Sequence, residues 1–383
     1  MMLMSCTAIA QNKNLNNISW SVAAQLPVIE GMKNQLGVAG PFAGVSNGVL
    51  LIAGGSNFAD GAKPWQGGKK IHKDEIYILK KDNGGKFTWL TPKTKHLKQP
   101  VAYGASTTIA GGVICAGGET EKANGSRDVF MMIWDKAGHD VVFKQLPSLP
   151  IPVANACMTS IGNVIYLAGG ESNGKATDKV FMLHLDHSET GWLSLPPLPI
   201  AMSHSVAVTQ SNGKYPCVYI IGGRSATHLG ISILHNTTFC YDPKYKKWIA
   251  LSDVADGEVT TTISGATGVA NGDHDILLIG GDKGDLFHKI ETWNSIIANS
   301  KDDAERKQAN KEKLALLNNH PGFSKDVYQF NTLNNSWEKI GELPFYGQVT
   351  TTAVKWDNEI FIPCGEIKPG TRTPNITVGR FNQ

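Results

Sequence analysis

The sequence has no long apolar run and no block of basic residues. Its 383 residues are 41% hydrophobic and 18% charged, and the formal net charge is +3. A chain of this composition can bury a large core and is not typical of a disordered protein. Its scattered Lys and Arg residues do not form the basic patch that binding to a phosphate backbone requires. We therefore expect a globular protein with no nucleic-acid partner and no membrane span.

Metal-binding cysteine patterns are also absent. The six cysteines include no CxxC pair and have no zinc-ligand spacing relative to the histidines. Cys115 in VICAGG and Cys364 in IPCGE lie in apolar runs, where a reduced cysteine packs as a small hydrophobic residue. We expect core cysteines, no metal site and no cofactor.

The N-terminus has only part of a secretory signal. MMLMSCTAIAQNKN contains Ala8-Ile9-Ala10, a small-x-small cleavage motif, directly before Gln11. The segment lacks a charged first part and a full apolar core, and a lipoprotein signal ending at Cys6 is an alternative. We interpret residues 1–10 as the remnant of a signal peptide and expect export to a periplasm.

Glycine, in contrast, is abundant. The 41 glycines make up about 11% of the chain, against a usual share of about 7%. Many belong to a repeat in which an apolar run such as VLLIAGG or VIYLAGG ends in a glycine pair. The pairs recur about every 50 to 60 residues, close to the period of Kelch repeats. Five pairs and one degenerate copy, IFIPCG, make six repeats: Gly54-Gly55, Gly117-Gly118, Gly169-Gly170, Gly222-Gly223, Gly280-Gly281 and Gly365.

Each repeat has the parts of a four-stranded propeller blade. A strand such as DKVFMLHL follows most glycine pairs, a strand with a tryptophan comes next, and proline turns such as LPSLPIP separate the copies. The last copy lacks a tryptophan strand, whereas ISWSVAAQLP near the N-terminus contains Trp20. We therefore predict an all-β, six-bladed Kelch-type β-propeller over residues 11–383, closed by an N-terminal strand. The repeated tryptophans, expected to fill the space between blades, are Trp89, Trp192, Trp248 and Trp337.

One segment interrupts the fifth repeat. Residues 288–322, which follow Gly281, are rich in helix formers and end in Pro321-Gly322, a helix stop. Ser300 precedes Asp303 by three positions, as in a capping box. We predict a helical insertion in blade five. Because it leaves from a loop after a glycine pair, it should lie at the end where these loops meet and could form part of a lid.

Equivalent loops of a propeller converge at one mouth of the central channel. The polar residues that follow the six glycine pairs should therefore surround that mouth, and the loops leading into the first strand of each blade should face it. From the first set we expect Asn57, Glu119, Glu171, Arg224, Asp282 and Glu366 there. From the second set we expect Phe42, Tyr103, Asn155, His204 and Tyr346.

The stretch GEIKPGTR, residues 365–372, concentrates three charges on one short loop. Glu366, Lys368 and Arg372 lie on a segment that Pro369 stiffens and Gly370 turns. Preorganised charge is what a binding site needs. This loop is therefore the strongest candidate for a functional site.

GEIKPGTR, together with GVAGPFAGVSNGVLLIAGGSNF at residues 37–58, resembles the sialic acid mutarotases, or N-acetylneuraminate epimerases, which are six-bladed Kelch propellers. The resemblance extends over nearly the whole chain from about residue 18 and includes the helical insertion. The blade with the glutamate comes last here, whereas in the family it lies mid-chain. The chain thus resembles a cyclically permuted branch, and such a rotation leaves spatial neighbours in a closed ring unchanged.

The resemblance implies an isomerase that takes a small sugar acid, needs no cofactor and interconverts the anomers of sialic acid. Ring opening requires removal of a proton from the anomeric hydroxyl and delivery of one to the ring oxygen. By resemblance, Glu366 is the acid–base catalyst and Arg372 holds the substrate carboxylate with its planar fork. The expected substrate-binding residues are Lys368, Arg224, Asn57, Glu119, Glu171, His204 and Tyr346.

Two other classes of function stay open at this point. A Kelch propeller also serves as a non-catalytic scaffold that binds a glycan or a protein. A sialidase would carry Ser-x-Asp-x-Gly-x-Thr-Trp boxes, which are missing, and no spacing argues for the Tyr, His and Cys set of a copper oxidase. Hydrolysis would need a second carboxylate, which Glu119 or Glu171 could supply. The sequence predicts neither the oligomeric state nor the preferred sialic acid variant.

Overall fold

The computed structural model describes residues 18–28, 34–228 and 230–382. Six four-stranded antiparallel sheets surround a central channel and form a six-bladed β-propeller. The predicted fold class is therefore confirmed. The predicted signal remnant, residues 1–10, lies outside the described residues.

The strands of each blade follow one another from the channel outwards. Blade one comprises Phe42–Ser46, Val49–Ala53, Ile76–Lys81 and Phe87–Leu90. Blade two comprises Ala105–Ile109, Gly112–Ala116, Val129–Asp135 and Asp140–Gln145. Blade three comprises Cys157–Ile161, Val164–Ala168, Val180–His184 and Leu193–Leu195. Blades four and five comprise Val206–Ser211, Pro216–Ile221, Thr238–Asp242 and Lys247–Leu251; and Thr267–Asn271, Asp275–Ile279, Asp326–Asn331 and Ser336–Glu342. Blade six comprises Val354–Trp356, Glu359–Pro363, Asn375–Phe381 and the N-terminal strand Ile18–Gln25.

The apolar runs of the repeat are the second strands of the blades. Val49–Ala53, for example, is buried at every position, because neighbouring blades cover both faces of each sheet. The glycine pair that follows lets one blade approach the next. A Cβ added to Gly54, whose φ is +69°, would lie 2.5 Å from the carbonyl oxygen of Val101 in blade two, and the Gly55 amide donates a hydrogen bond of 2.8 Å to that same oxygen.

The N-terminal strand closes the ring as predicted. Ile18–Gln25 pairs antiparallel with Asn375–Phe381, and Trp20 lies opposite Gly379. On the other side of the junction, the Gly365 amide of blade six donates to the carbonyl oxygen of Val38, just before blade one, at 2.8 Å. Both ends of the described chain therefore contribute to the contact between blades six and one.

The tryptophans join neighbouring blades, which confirms their expected role. The indole N–H of Trp248 donates to the Pro196 carbonyl at 2.9 Å, and that of Trp337 donates to the Ser252 carbonyl at 3.0 Å. Trp192 makes the same kind of bond to Pro147, although it lies just before the outer strand of blade three instead of inside it. The five described cysteines are buried and reduced, as expected for core residues.

The insertion in blade five is a helical hairpin of α1, Asp285–Asn299, and α2, Asp303–Asn318. It begins three residues before the predicted segment. The predicted capping box at Ser300 is wrong: the N-cap of α2 is Asp302, whose carboxylate accepts hydrogen bonds from the amides of Ala304 and Glu305. Within the part of the chain that the structure describes, no helix has the length and apolar character needed to cross a membrane.

Side-chain hydrogen bonds at both ends of the hairpin hold it against the propeller, and His288 Nε2 of α1 lies 2.8 Å from the carbonyl oxygen of Ser232. Glu291 of α1 accepts hydrogen bonds of 2.7 Å from both the amide and the hydroxyl of Ser232 in blade four. At the end of α2, the side-chain oxygen of Asn318 accepts a bond of 2.9 Å from the indole of Trp65 in the blade-one loop. The hairpin thus bridges blades four and one as well as blade five.

Candidate functional site

The loops that lead into the first strands meet in a closed ring of backbone hydrogen bonds. Each of six residues donates its amide to the carbonyl of the residue from the preceding blade, at 2.7–3.1 Å, and each has a positive φ between +52° and +65°. We call this set the neck ring, because the central channel below it and the mouth above it share its residues. The neck ring consists of Gly40, Tyr103, Asn155, His204, Gly265 and Thr350.

A cavity of about 380 Å³ lies above the neck ring. This volume is in the range of pockets that bind small molecules. Its lower wall is polar, and Glu119, Glu171, Arg224 and Glu366 contribute to it as expected from the positions after the glycine pairs. The predicted convergence of these loops is therefore confirmed. Its roof is apolar and comes mainly from the helical hairpin: Phe287, Ile290, Leu317 and Phe323.

The GEIKPGTR stretch forms a two-stranded hairpin, Glu366–Lys368 and Thr371–Arg372, in which Glu366 lies directly opposite Arg372. The Glu366 carboxylate accepts hydrogen bonds from the Gly370 amide at 2.6 Å and from Arg372 Nη1 at 3.1 Å. The guanidinium of Arg372 also lies over the Phe58 ring, 4.4 Å from its centroid. Glu366 and Arg372, six residues apart in the sequence, therefore face each other because the tight turn between them sets the strand register.

Burial dominates the electrostatics of Glu366. Its side chain is only 17% exposed, and burial raises the pKa of its carboxyl above the ordinary value for glutamate. Arg372, the Gly370 amide and Lys63 act in the opposite direction, and the charge of Asp282 in blade five adds to the increase. A carboxyl group tuned in this way can exchange a proton nearer to neutral pH than an exposed one.

On the far side of the ring from Glu366, a series of hydrogen bonds runs along the cavity wall through blades three and four. Asn155 Nδ2 donates to Glu171 at 3.2 Å, and the Ser203 hydroxyl donates to the same carboxylate at 2.9 Å. Ser203 Oγ also lies 2.9 Å from His204 Nδ1, and His204 Nε2 lies 3.3 Å from Arg224 Nη2. Burial, followed by the charge of Arg224, lowers the pKa of His204 well below its usual value.

Glu119 in blade two belongs to a separate ion pair. Lys70 Nζ lies 2.5 Å from the Glu119 carboxylate and 5.1 Å from the centroid of the Tyr103 ring. Burial raises the pKa of Glu119, but the nearby His72, whose Nε2 lies 3.7 Å from the carboxylate, and the hydrogen-bonded Lys70 outweigh burial, so the net pKa is lowered. Glu119 therefore remains ionised and is neutralised by Lys70.

Several expected residues do not line the cavity. Asn57 is buried and donates to the Gly37 carbonyl at 2.6 Å. Lys368 and Tyr346 contact each other outside the cavity, with Nζ 4.6 Å from the ring centroid. Phe42 is buried within blade one against Phe130.

Arg372 lies behind Glu366 and not on the cavity surface. Its side chain is 4% exposed, its Nη1 is bonded to Glu366, and its Nη2 lies 3.4 Å from the Tyr103 hydroxyl. The resemblance implies that Arg372 contacts a substrate carboxylate directly. This arrangement does not favour such a contact.

Sequence reasoning missed Lys70 and the apolar roof. Phe287 and Ile290 are three positions apart on α1, a spacing that places them on one helix face. This spacing was the sequence signal for an apolar roof, but only the fold shows that this helix face points at the mouth. Among the described residues, no group of His, Cys, Asp and Glu side chains could hold a metal ion.

Comparison with known proteins agrees with the geometry. A family model described as N-acetylneuraminate epimerase matches residues 4–141 and 146–383. The N-acetylneuraminate epimerase of Haemophilus influenzae (strain PittEE) is 24% identical over 238 residues, which is 61% of this chain and 59% of that protein. The N-acetylneuraminate epimerase of Yersinia pestis (strain Pestoides F) is 26% identical over 245 residues, which is 62% of this chain and 57% of that protein.

A protein of the same name from Brucella melitensis biotype 1 is 26% identical over 237 residues, covering 60% of this chain and 57% of the relative. The chain thus spans between 57% and 59% of the length of these three relatives. The family model, in contrast, extends over nearly the whole chain. The chain therefore belongs to the N-acetylneuraminate epimerase family.

Proposed function

We propose that this protein interconverts the two anomers of N-acetylneuraminic acid by acid–base-assisted opening of the sugar ring. The observation that carries the proposal is the largely buried Glu366 carboxylate, which Arg372 and the Gly370 amide hold at the polar lower wall of the cavity. The names of the relatives and the match to the family model support the same activity.

In the proposed reaction, ionised Glu366 removes the proton from the anomeric hydroxyl. The bond between the anomeric carbon and the ring oxygen breaks, the anomeric carbon becomes a ketone, and the ring oxygen receives the proton from Glu366. Rotation of the open chain and reversal of these steps give the other anomer. General acid–base assistance of this kind is typically worth about 10²–10⁴-fold in rate.

Arg372 acts through Glu366 in this proposal. Its ion pair at 3.1 Å favours the ionised carboxylate and so opposes the effect of burial, which raises the pKa of Glu366. It also fixes the carboxylate at the cavity wall, together with the Gly370 amide. A lost or displaced Arg372 would therefore reduce the fraction of Glu366 that is available as a base.

The competing function is a propeller that binds a glycan or a protein without turnover. Proton NMR of N-acetylneuraminic acid, freshly released as a single anomer by a sialidase, distinguishes the two functions. An enzyme accelerates the approach of the two anomers, followed through their ring-proton signals, to equilibrium at substoichiometric protein concentration. A binding protein leaves the rate unchanged and only broadens or shifts signals in proportion to its concentration, and that result would contradict the proposed activity.

A further inference from the structure

Arg224 is a cation that faces the cavity without a carboxylate partner. Two other cationic side chains near the mouth are neutralised, since Lys70 pairs with Glu119 and Arg372 pairs with Glu366. In the part of the chain that the structure describes, the guanidinium of Arg224 lies 3.3 Å from His204 and 4.9 Å from the centroid of the Phe287 ring, and no carboxylate is within ion-pair distance of it. A guanidinium in a cavity that lacks an internal counter-ion is suited to an anionic ligand.

The hydrogen bonds behind Arg224 form a series that begins at Arg224 and ends at Glu171, and these two end groups determine the direction of each bond. Arginine can only donate and an ionised carboxylate can only accept. His204 Nε2 must therefore accept from Arg224, so that Nδ1 carries the ring proton and donates to Ser203 Oγ. Ser203 in turn donates to Glu171.

A protonated His204 does not fit this chain, because both of its ring nitrogens would be donors and one would face the donors of Arg224. Burial and the charge of Arg224 also lower the pKa of His204. The imidazole is therefore neutral and serves as an oriented acceptor. It fixes one edge of the guanidinium, while the Phe287 ring packs against its face.

We propose that Arg224 binds the carboxylate of the sugar acid and that Glu171, Ser203 and His204 position it. This inference rests on the proposed function, since it concerns the same cavity and the same substrate class. It assigns the two arginines different tasks: Arg224 binds the substrate, and Arg372 supports Glu366. The charge of Arg224 also acts on the carboxyl of Asp282, whose pKa burial raises, so Asp282 opposes an anion less than an exposed aspartate would.

The test compares binding of N-acetylneuraminic acid with binding of its methyl ester, which lacks the negative charge. For Arg224→Lys and Arg224→Gln, calorimetric titration should show about 10- to 100-fold weaker binding of the acid, as expected for loss of a charge-assisted hydrogen bond. Binding of the ester should change by less than about twofold. Arg306→Lys, on the exposed surface of α2, is the matched control and should behave as wild type.

The positioning chain is tested with His204→Asn. Asparagine tolerates the positive φ of this position, +58°, but is too short to reach Arg224. Binding of the acid should again weaken more than binding of the ester. The double variant with Arg224→Gln should bind the acid no more weakly than Arg224→Gln alone. Additive losses, or equal losses for acid and ester, would assign His204 a purely structural role.

The two proposals fail separately. If wild type accelerates anomer exchange but both Arg224 variants, with circular dichroism spectra of folded protein, bind the acid as wild type does, the anchor is wrong and the activity stands. If wild type does not accelerate exchange but the acid still depends on Arg224 for binding, the anchor stands and the activity is wrong.

Discussion

Glu366 and Arg372 owe their contact to the register of a two-stranded hairpin, not to their order in the sequence. Pro369 and Gly370 form the turn, and the Gly370 amide, freed by that turn, donates directly to the Glu366 carboxylate at 2.6 Å. The turn thus supplies one of the two groups that hold the carboxylate. Changes at the turn should consequently affect the chemistry as well as the local backbone.

Replacing Glu366 with glutamine tests the base itself. Glutamine keeps the shape and can still accept from Gly370 and Arg372, but it cannot take up a proton. Anomer exchange measured by NMR should fall by about 10²–10⁴-fold, while binding of the sugar acid should persist. A folded variant that retains the wild-type rate would reduce Glu366 to an ordinary wall residue.

Replacing Arg372 with glutamine tests how the arginine acts. Burial raises the pKa of Glu366 and Arg372 lowers it, so removing the positive charge should raise the pKa further. Activity that requires ionised Glu366 is lost as pH falls through this pKa, and the acid limb of the pH–rate profile should therefore move to higher pH in the variant. If Arg372 instead held the substrate, binding of the acid would weaken and the acid limb would stay in place.

Position in the repeat predicted part of this site, and local geometry determined the rest. Glu119, Glu171, Arg224 and Glu366 follow glycine pairs and reach the cavity, because the repeat fixes where these residues lie. Asn57 follows a glycine pair by two positions and turns its amide to the Gly37 carbonyl. The other four residues follow their glycine pairs by one position, and successive residues of a strand point to opposite faces, so the sequence does contain this difference.

Local geometry also explains why Lys368 and Tyr346 lie outside the cavity. Lys368 follows an irregularity in the strand register after Glu366, so it contacts Tyr346 and not the cavity. Tyr346 itself lies four positions before Thr350, the blade-six member of the neck ring. The misplacement of Lys368 thus arises from a register irregularity, whereas the neck-ring position expected of Tyr346 in fact belongs to Thr350.

At the scale of elements, the helical hairpin contributes to the cavity more than to the core. Within the two helices, all of whose residues the structure describes, Ala309 alone is fully buried, whereas Phe287, Ile290 and Leu317 form the roof. The sequence predicted the helices and the end of the propeller where they lie. It could not predict their anchors, because the contacts of Glu291 with Ser232 and of Asn318 with Trp65 join residues far apart in the chain.

Replacing residues 286–319 with a short Gly-Ser loop should therefore separate stability from binding. The melting temperature should change little, because few core contacts are lost. KM should rise by about tenfold or more, since losing contact with about two methylene groups alone costs about 1.6 kcal/mol. Thermal unfolding and initial rates of anomer exchange measure the two effects, and an unchanged KM would exclude the roof from substrate binding.

At the scale of the whole molecule, stability depends on the junction between blade six and blade one. The N-terminal strand pairs with Asn375–Phe381, and Leu26, just after it, packs in one cluster with Leu50 of blade one and Val378 of blade six. The neck ring crosses the same junction through the bond from Gly40 to Thr350. The junction is thus held at its outer edge, in its core and at the channel.

Deleting the chain through Gln25 should destabilise the ring as a unit. The deletion removes Trp20, which packs on Gly379, and exposes the edge of Asn375–Phe381 to association with other chains. Trp20 is only partly buried, but the deletion also removes a whole paired strand, so the free energy of unfolding should fall by about 3 kcal/mol or more, the lower end of the cost of losing a core tryptophan. Deletion through residue 17, which leaves the strand intact, is the control.

Hydrogen exchange should accelerate in Val49–Ala53 of blade one as well as in blade six, because the two blades share a core cluster. Faster exchange confined to blade six would mean that the strand only covers an edge and that the ring is held closed by the neck and the core.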